Sequence, residues 1–229
     1  MTILRPLLFW LAFGLLTLAF LALLPLALAP RAVGQACVRG WAGAVLWLAR
    51  HVAGLRTEIR GSLPEGAFLI AAKHQSMWET LVLQRLVKDP VFIVKRELLA
   101  VPVLGLVLRR LGAQGVKRAG DLAQAANAFR AAKAAYRQGR SVILFPEGTR
   151  KLPGAAPAYD AGVHGLYRAM GAACLPVAVH SGHVWPPGSW RIRPGTAFLH
   201  FLTPLPPGLP RDEFMARLST MIEEYSAKS

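Results

Sequence analysis

Phe145-Pro146-Glu147-Gly148-Thr149-Arg150 follows Ser141-Val142-Ile143-Leu144, an apolar run with the character of a buried strand. Pro146 stops that strand and Gly148 lets the chain turn sharply. The turn then offers a carboxylate, a hydroxyl and a guanidinium within a few positions. Such a turn can hold a phosphate, because Arg150 presents a planar fork and backbone N–H groups can come close at Gly148. An ordinary capped loop has the same composition, and a second stretch narrows the choice. Lys73-His74-Gln75-Ser76-Met77-Trp78-Glu79 follows the apolar residues 67–72 and sets a histidine at a strand end with an acid five positions later. A histidine whose ring is held by a carboxylate is the arrangement that general-base catalysis needs.

Together the two stretches resemble the glycerophospholipid acyltransferase family, in its 1-acylglycerol-3-phosphate acyltransferase branch. That family carries His-x4-Asp, followed about seventy residues later by Phe-Pro-Glu-Gly-Thr-Arg, here His74…Glu79 and Phe145 to Arg150. A Gly-x5-Arg block (Gly112 to Arg118) and the strand Leu175-Pro176-Val177-Ala178-Val179 fit as well, so the resemblance covers residues 59–205. It implies transfer of a fatty acyl group from acyl-CoA or acyl-carrier protein to the sn-2 hydroxyl of lysophosphatidic acid, with no bound cofactor and no metal. In that scheme His74, held by Glu79, takes the hydroxyl proton. Arg118 and Arg150 clamp the phosphate beside Gly148 and Thr149, and Glu147 orients these cations or the headgroup. Lys95, or backbone N–H groups near Gly148, meet the developing oxyanion. The sequence departs from the family in three places: Glu79 stands for Asp, no aromatic precedes Arg118, and His180 follows the late strand where Asn is common. These departures keep another acceptor open, such as a lyso-ornithine lipid. A non-catalytic lipid-binding membrane protein is the alternative from another class. An acyl-Ser76 intermediate is disfavoured because Ser76 lies too close to His74 in the chain.

The elements that must position these residues alternate. Short apolar strands are predicted at 67–72, 90–94, 113–117, 142–145, 174–179 and 197–202, with helices at 78–88, 98–111, 121–138, 163–170 and 211–227. Asp121 is a plausible cap for the third of these helices. The alternation predicts an α/β fold with a mixed, mostly parallel sheet flanked by helices. Both motifs then lie just after strands, where open α/β sheets bind ligands. Residues 98–111, with Val101, Leu104 and Val107, are expected to be core, an acyl-chain slot being the second reading. Residues 151–158 form a Pro/Gly/Ala loop suited to a lid.

Ahead of this acyltransferase domain (56–229) lies a segment, 1–55, of different character. Residues 6–29 carry no charge, and at about 1.5 Å per residue they make a helix of roughly 36 Å, enough to cross a bilayer core. A signal peptide cut after Ala27-Leu28-Ala29 is the rival reading; Pro30 at the cut disfavours it. Residues 33–55 predict a second helix with Val33, Cys37, Trp41, Ala44, Leu48 and Val52 on one face. Pro25 and Pro30 separate the two. A hairpin dipping into one leaflet, a span plus a surface helix, and a second helix packed on the catalytic domain all remain open.

With 27 Lys+Arg against 12 Asp+Glu the net charge is +15, which attracts polyanions. The apolar N-terminus points to an anionic membrane surface rather than nucleic acid, for which no recognition motif is present. An acidic carrier protein and a phosphate-bearing lipid would be drawn in too. Two cysteines, Cys37 and Cys174, form no disulfide framework, and His180 and His183 alone make a weak metal signal. Because thioesters are made in the cytoplasm, the expected location is a bacterial-type inner membrane with the catalytic domain on the cytoplasmic side.

Overall fold

A computed structural model describes residues 3–22, 30–117 and 122–227. At its centre lies β2 (Leu69–Ala72), buried at all four positions. It is flanked by β5 (Val142–Leu144) and β6 (Cys174–His180), also apolar on both faces. Strands buried on both sides read as unbroken apolar runs, which is why these three were visible in the sequence. β3 (Val91–Lys95), β4 (Gln114–Val116), β7 (Gly195–Phe201) and β1 (Leu55–Arg60) complete a seven-stranded sheet in the order β1-β7-β6-β2-β5-β3-β4. All neighbours are parallel except β6 and β7.

Alternation along β2 divides the core in two. Ile70 and Ala72 point into a cluster with α1 (Leu4–Ala22), α2 (Arg31–His51) and α3 (Trp78–Leu86), through Phe9, Ala42, Val45, Trp78 and Leu81. Leu69 and Ala71 point the other way, onto α6 (Leu122–Arg137), α7 (Gly162–Met170) and α8 (Arg211–Ala227), through Ala132, Leu166, Tyr167, Phe214 and Leu218. The result is a three-layer α/β fold of the mixed, mostly parallel kind expected.

Several expectations need correction. The helix predicted at 98–111 is two, α4 (Arg96–Ala100) and α5 (Leu104–Leu111). Pro102 stops the first, and Val103 turns the chain at φ 63°, a rare value for a β-branched residue. β1 was not foreseen, because it buries only Leu55 fully and alternates little. On α2 the buried face is Gly34, Gln35, Ala42, Val45 and Ala49, not the predicted stripe. Small residues seat α2 on the domain; from the predicted stripe, Trp41 instead receives α1, with Phe13 and Phe20 against its ring and its Nε1 donating to Thr17 Oγ1 at 3.3 Å. Pro25, residues 27–29, Arg118 and Asp121 lie outside the described residues.

Candidate active site

His74 stands two residues past the end of β2, and Glu79 lies in the first turn of α3. The Glu79 side chain folds back over that turn. Its Oε1 accepts from the backbone N–H of Gln75 at 2.6 Å and of Ser76 at 2.7 Å, and from His74 Nδ1 at 2.9 Å. Its Oε2 accepts from the hydroxyls of Ser76 at 2.7 Å and Ser181 at 2.9 Å. The carboxylate is 0% exposed and His74 14% exposed at the side chain. Burial by itself would push the Glu79 carboxyl up; the hydrogen bond and charge of His74 and the two Ser76 donors outweigh it and hold its pKa below the ordinary value. With a carboxylate as acceptor, Nδ1 carries the proton and Nε2 is the ring nitrogen able to take another. The ring stacks on Phe145, centroids 3.9 Å apart.

The two motif turns are stitched together. β2 and β5 are parallel neighbours, with Ala71 opposite Leu144, so their exits lie side by side. His74 N donates to Glu147 Oε2 at 3.1 Å, and Lys151 N donates to His74 O at 2.8 Å. Gly148, at φ 61°, closes the turn through its own N–H to Phe145 O. Glu147, expected to orient the cations or the headgroup, is 2% exposed and does not line the cavity. Buried Lys73 pairs with it at 3.3 Å and with Glu223 of α8 at 2.7 Å, and Tyr159 donates to Glu223 at 2.9 Å. A buried carboxylate needs a cation and donors, and Glu147 spends itself on holding the His74 backbone. The 151–158 loop is tied at its start by Lys151 N to His74 O, and the chain is tied again two residues past its end by Asp160 N to Pro146 O.

His74 opens onto a cavity of about 1200 Å³. Gly148, Thr149, Arg150 and Lys95 line it, together with Lys117 and Asp160. Much of the wall is apolar: Phe92, Leu98, Leu104, Val107, Leu111 and Phe129. Leu98, Leu104 and Val107 therefore face a cavity rather than closed core, while Val101 is exposed and outside it. Ser76, whose Oγ also accepts from Trp78 N at 2.9 Å, is 1% exposed and spent on Glu79. Among the described residues no group of three or more His, Cys, Asp or Glu is placed to hold a metal ion.

Ser181 and Gln75 went unnoticed in the sequence. Ser181 lies one residue past β6, and Gln75 Oε1 accepts from the N–H of Ser181 at 2.9 Å and of Gly182 at 3.1 Å, pinning that loop to the His74 turn. The one signal that could have found Ser181 is its place at the exit of a central strand.

An open sheet whose strand exits collect a carboxylate-held histidine, several cations and an apolar cavity defines the class: an α/β fold with a candidate site at the C-terminal strand ends. A family model described as Acyltransferase matches residues 54–180, and the chain belongs to that family. It is 35% identical over 161 residues to a 1-acyl-sn-glycerol-3-phosphate acyltransferase of Pseudomonas aeruginosa, covering 69% of this chain and 63% of that one. It is 30% identical over 140 residues to the protein of the same name from Borreliella burgdorferi, covering 59% and 54%. The chain thus matches less than two thirds of the length of either relative. Its fold is that of the 1-acyl-sn-glycerophosphate acyltransferase of Thermotoga maritima, with a TM-score of 0.80 at 22% identity over 100% of this chain and 97% of that one.

Proposed function

We propose that this protein transfers a fatty acyl group from an acyl thioester, on coenzyme A or acyl-carrier protein, to the sn-2 hydroxyl of lysophosphatidic acid, giving phosphatidic acid. The observation that carries the reading is the His74–Glu79 pair set on an apolar cavity that also holds Arg150 and Lys95. His74 Nε2 takes the hydroxyl proton while Glu79 stabilises the imidazolium. The oxygen attacks the thioester carbonyl, and the oxyanion is met by Lys95 or by N–H groups of the Gly148 turn. Collapse expels the thiolate, which leaves as thiol with the proton from His74. Arg150, joined by Arg118 from outside the described residues, binds the phosphate as a planar fork. The acyl chain lies along Leu98, Leu104 and Val107.

α1 supports membrane attachment. Trp10 Nε1 donates to Trp190 O at 2.6 Å, and Phe9 packs edge-on to Trp185 at 5.6 Å, so one flank of the helix is held by the domain. The other flank exposes Leu4, Leu7, Leu8, Leu11, Leu15 and Leu18. α1 is long and apolar enough to cross a membrane by length and composition. A helix held along its side favours the one-leaflet reading, with its leucines in the acyl region. Thr17, Phe20 and Trp41 of α1 and α2 also line the cavity, so the lipid-facing helices adjoin the site. Arg31, Arg39 and Arg50, following α1, favour the cytoplasmic side.

The test is thiol release from an acyl thioester with lysophosphatidic acid or lyso-ornithine lipid as acceptor, in wild type and His74→Ala. Release with lysophosphatidic acid, lost at least about 10²-fold in the variant, is expected. Release with the ornithine lipid alone overturns the acceptor; release unaffected by His74→Ala overturns the mechanism.

A further inference from the structure

We propose that Ser181 is a positioning residue for the His74–Glu79 pair, and that Glu rather than Asp stands at position 79 because the longer side chain brings a carboxylate oxygen to the Ser181 hydroxyl. The inference rests on the general-base reading above. It begins with a division of labour in the carboxylate. Oε1 is committed to the local turn, accepting from Gln75 N, Ser76 N and the His74 ring. Oε2 faces the sheet and accepts from two hydroxyls, one of them 102 residues away in the chain. Ser181 is 0% exposed, so its hydroxyl is not shared with solvent. Its backbone is fixed independently, because Gln75 Oε1 takes the N–H of both Ser181 and Gly182. The donor is thus pre-aimed at Oε2 by a side chain from the same turn that carries the base.

This link acts on the base through the charge of Glu79. A hydroxyl on Oε2 withdraws charge from the carboxylate and weakens its pull on the Nδ1–H of His74. Removing the hydroxyl leaves the same charge with one donor fewer, favours imidazolium and raises the ring's titration midpoint. A higher midpoint means less free base at neutral pH, so the acidic limb of kcat/KM moves up with it. The other charged groups around the pair are Lys73 with its two carboxylates, Glu147 and Glu223 of α8, and Lys95, Lys117, Arg150 and Asp160 across the cavity. His180 and His183 flank Ser181 in the chain; their rings lie 4.2 Å apart, and His180 Nδ1 faces Ser226 O at 3.0 Å. None of these hydrogen-bonds to Oε2, so Ser181→Ala alters one donor and leaves the charges in place.

The experiment follows the His74 ring by NMR titration of the full chain in detergent micelles, assigned by its loss in His74→Gln. It is paired with the pH dependence of kcat/KM for thiol release. In Ser181→Ala, ring midpoint and acidic limb are expected to rise together by about half a pH unit, the share of a charge-assisted hydrogen bond that reaches the neighbouring ring. Ser181→Thr, which keeps the hydroxyl, restores both. Glu79→Asp, too short to keep Oε1 in the turn and also reach Ser181, shows the same rise and carries the test if Ser181→Ala does not fold. A uniform loss of rate at all pH values with an unmoved ring midpoint overturns the proposal and leaves Ser181 a packing residue. The ring titration needs no turnover. A shifted ring in a protein that releases no thiol overturns the acyltransferase reading alone, and an unshifted ring in an active enzyme overturns the Ser181 role alone.

Discussion

Glu79→Gln removes one charge from a buried site where five donors converge and changes almost no volume. The amide oxygen can take the place of Oε1 and go on accepting from Gln75, Ser76 and the His74 ring. The amide nitrogen then faces the hydroxyls of Ser76 and Ser181, which can rotate to accept from it. Fold and ring orientation should therefore survive, and the loss should fall on the charge opposite the imidazolium in the transition state. With charge centres about 4 Å apart and an effective dielectric near 20, that attraction is about 4 kcal/mol. At about 1.4 kcal/mol per decade it corresponds to roughly a thousandfold, and the amide dipole returns part of it. Thus kcat for thiol release should fall by about 10² to 10³ while KM for the thioester changes little. The assay is initial-rate thiol release with saturating acceptor, alongside a melting curve. A folded variant within tenfold of wild-type kcat would refute the argument, because orientation would then suffice and the charge would contribute little.

Four further outcomes are expected. Arg150→Lys should raise KM for a phosphate-bearing acceptor by about tenfold with kcat nearly kept, since Lys lacks the planar fork; an unchanged KM removes Arg150 from the phosphate site. Leu11→Glu with Leu15→Glu on the exposed flank of α1 should weaken partitioning into phosphatidylglycerol vesicles by well over tenfold, a buried charge at depth costing about 2.5 kcal/mol or more; undiminished vesicle binding sinks the α1 reading. Gly105→Ala would drive a Cβ into the backbone oxygen of Leu99, forcing the corner between α4 and α5 open at about 1–3 kcal/mol in chemical denaturation; unaltered stability would mean that the corner yields freely. Because the folded pKa of Glu79 is depressed, its ionised form stabilises the protein above about pH 4.5, and this contribution is lost as pH falls through the folded value. The melting-temperature gap between wild type and Glu79→Gln should therefore be full at pH 7 and shrink below pH 4.5; a gap that widens in acid contradicts the shift.

The central strands and the two motif turns were legible because they obey local rules. Residues 69–72 and 142–144 are apolar without interruption, since helices cover both faces, and a strand exit followed by His or by Pro-Glu-Gly is visible within one window. Elements whose form is decided by distant partners were not legible. β1 is a strand because β7 pairs with it in register, Leu55 to Gly195 onward, and its own residues show mostly exposed side chains. α2 carries two apolar faces, and periodicity picks the one with the larger residues. The structure buries the small one because Gly34, Ala42 and Ala49 let the helix lie close, leaving Trp41 for α1. Pro102 was in plain view inside the predicted 98–111 helix, and its ordinary meaning as a helix breaker was the correct one.

The same distinction runs through the site. His74 and Glu79 lie five residues apart, so their partnership can be guessed from spacing. Glu147 stands beside Gly148 and Arg150 in sequence, yet its side chain turns the other way, because Lys73 and the His74 backbone wait there. Adjacent residues on a turn need not share a ligand; one can face substrate while its neighbour holds the scaffold. The substitution of Glu for Asp follows the same logic. Taken with its turn alone, the extra methylene is slack to be absorbed. Taken with Ser181 at the exit of β6, the added length is used: it carries Oε2 across to a donor from another strand, while Oε1 stays with the ring. A motif variant in the near sequence is thereby tied to a residue 102 positions away, and the two should be changed together if either is to be understood.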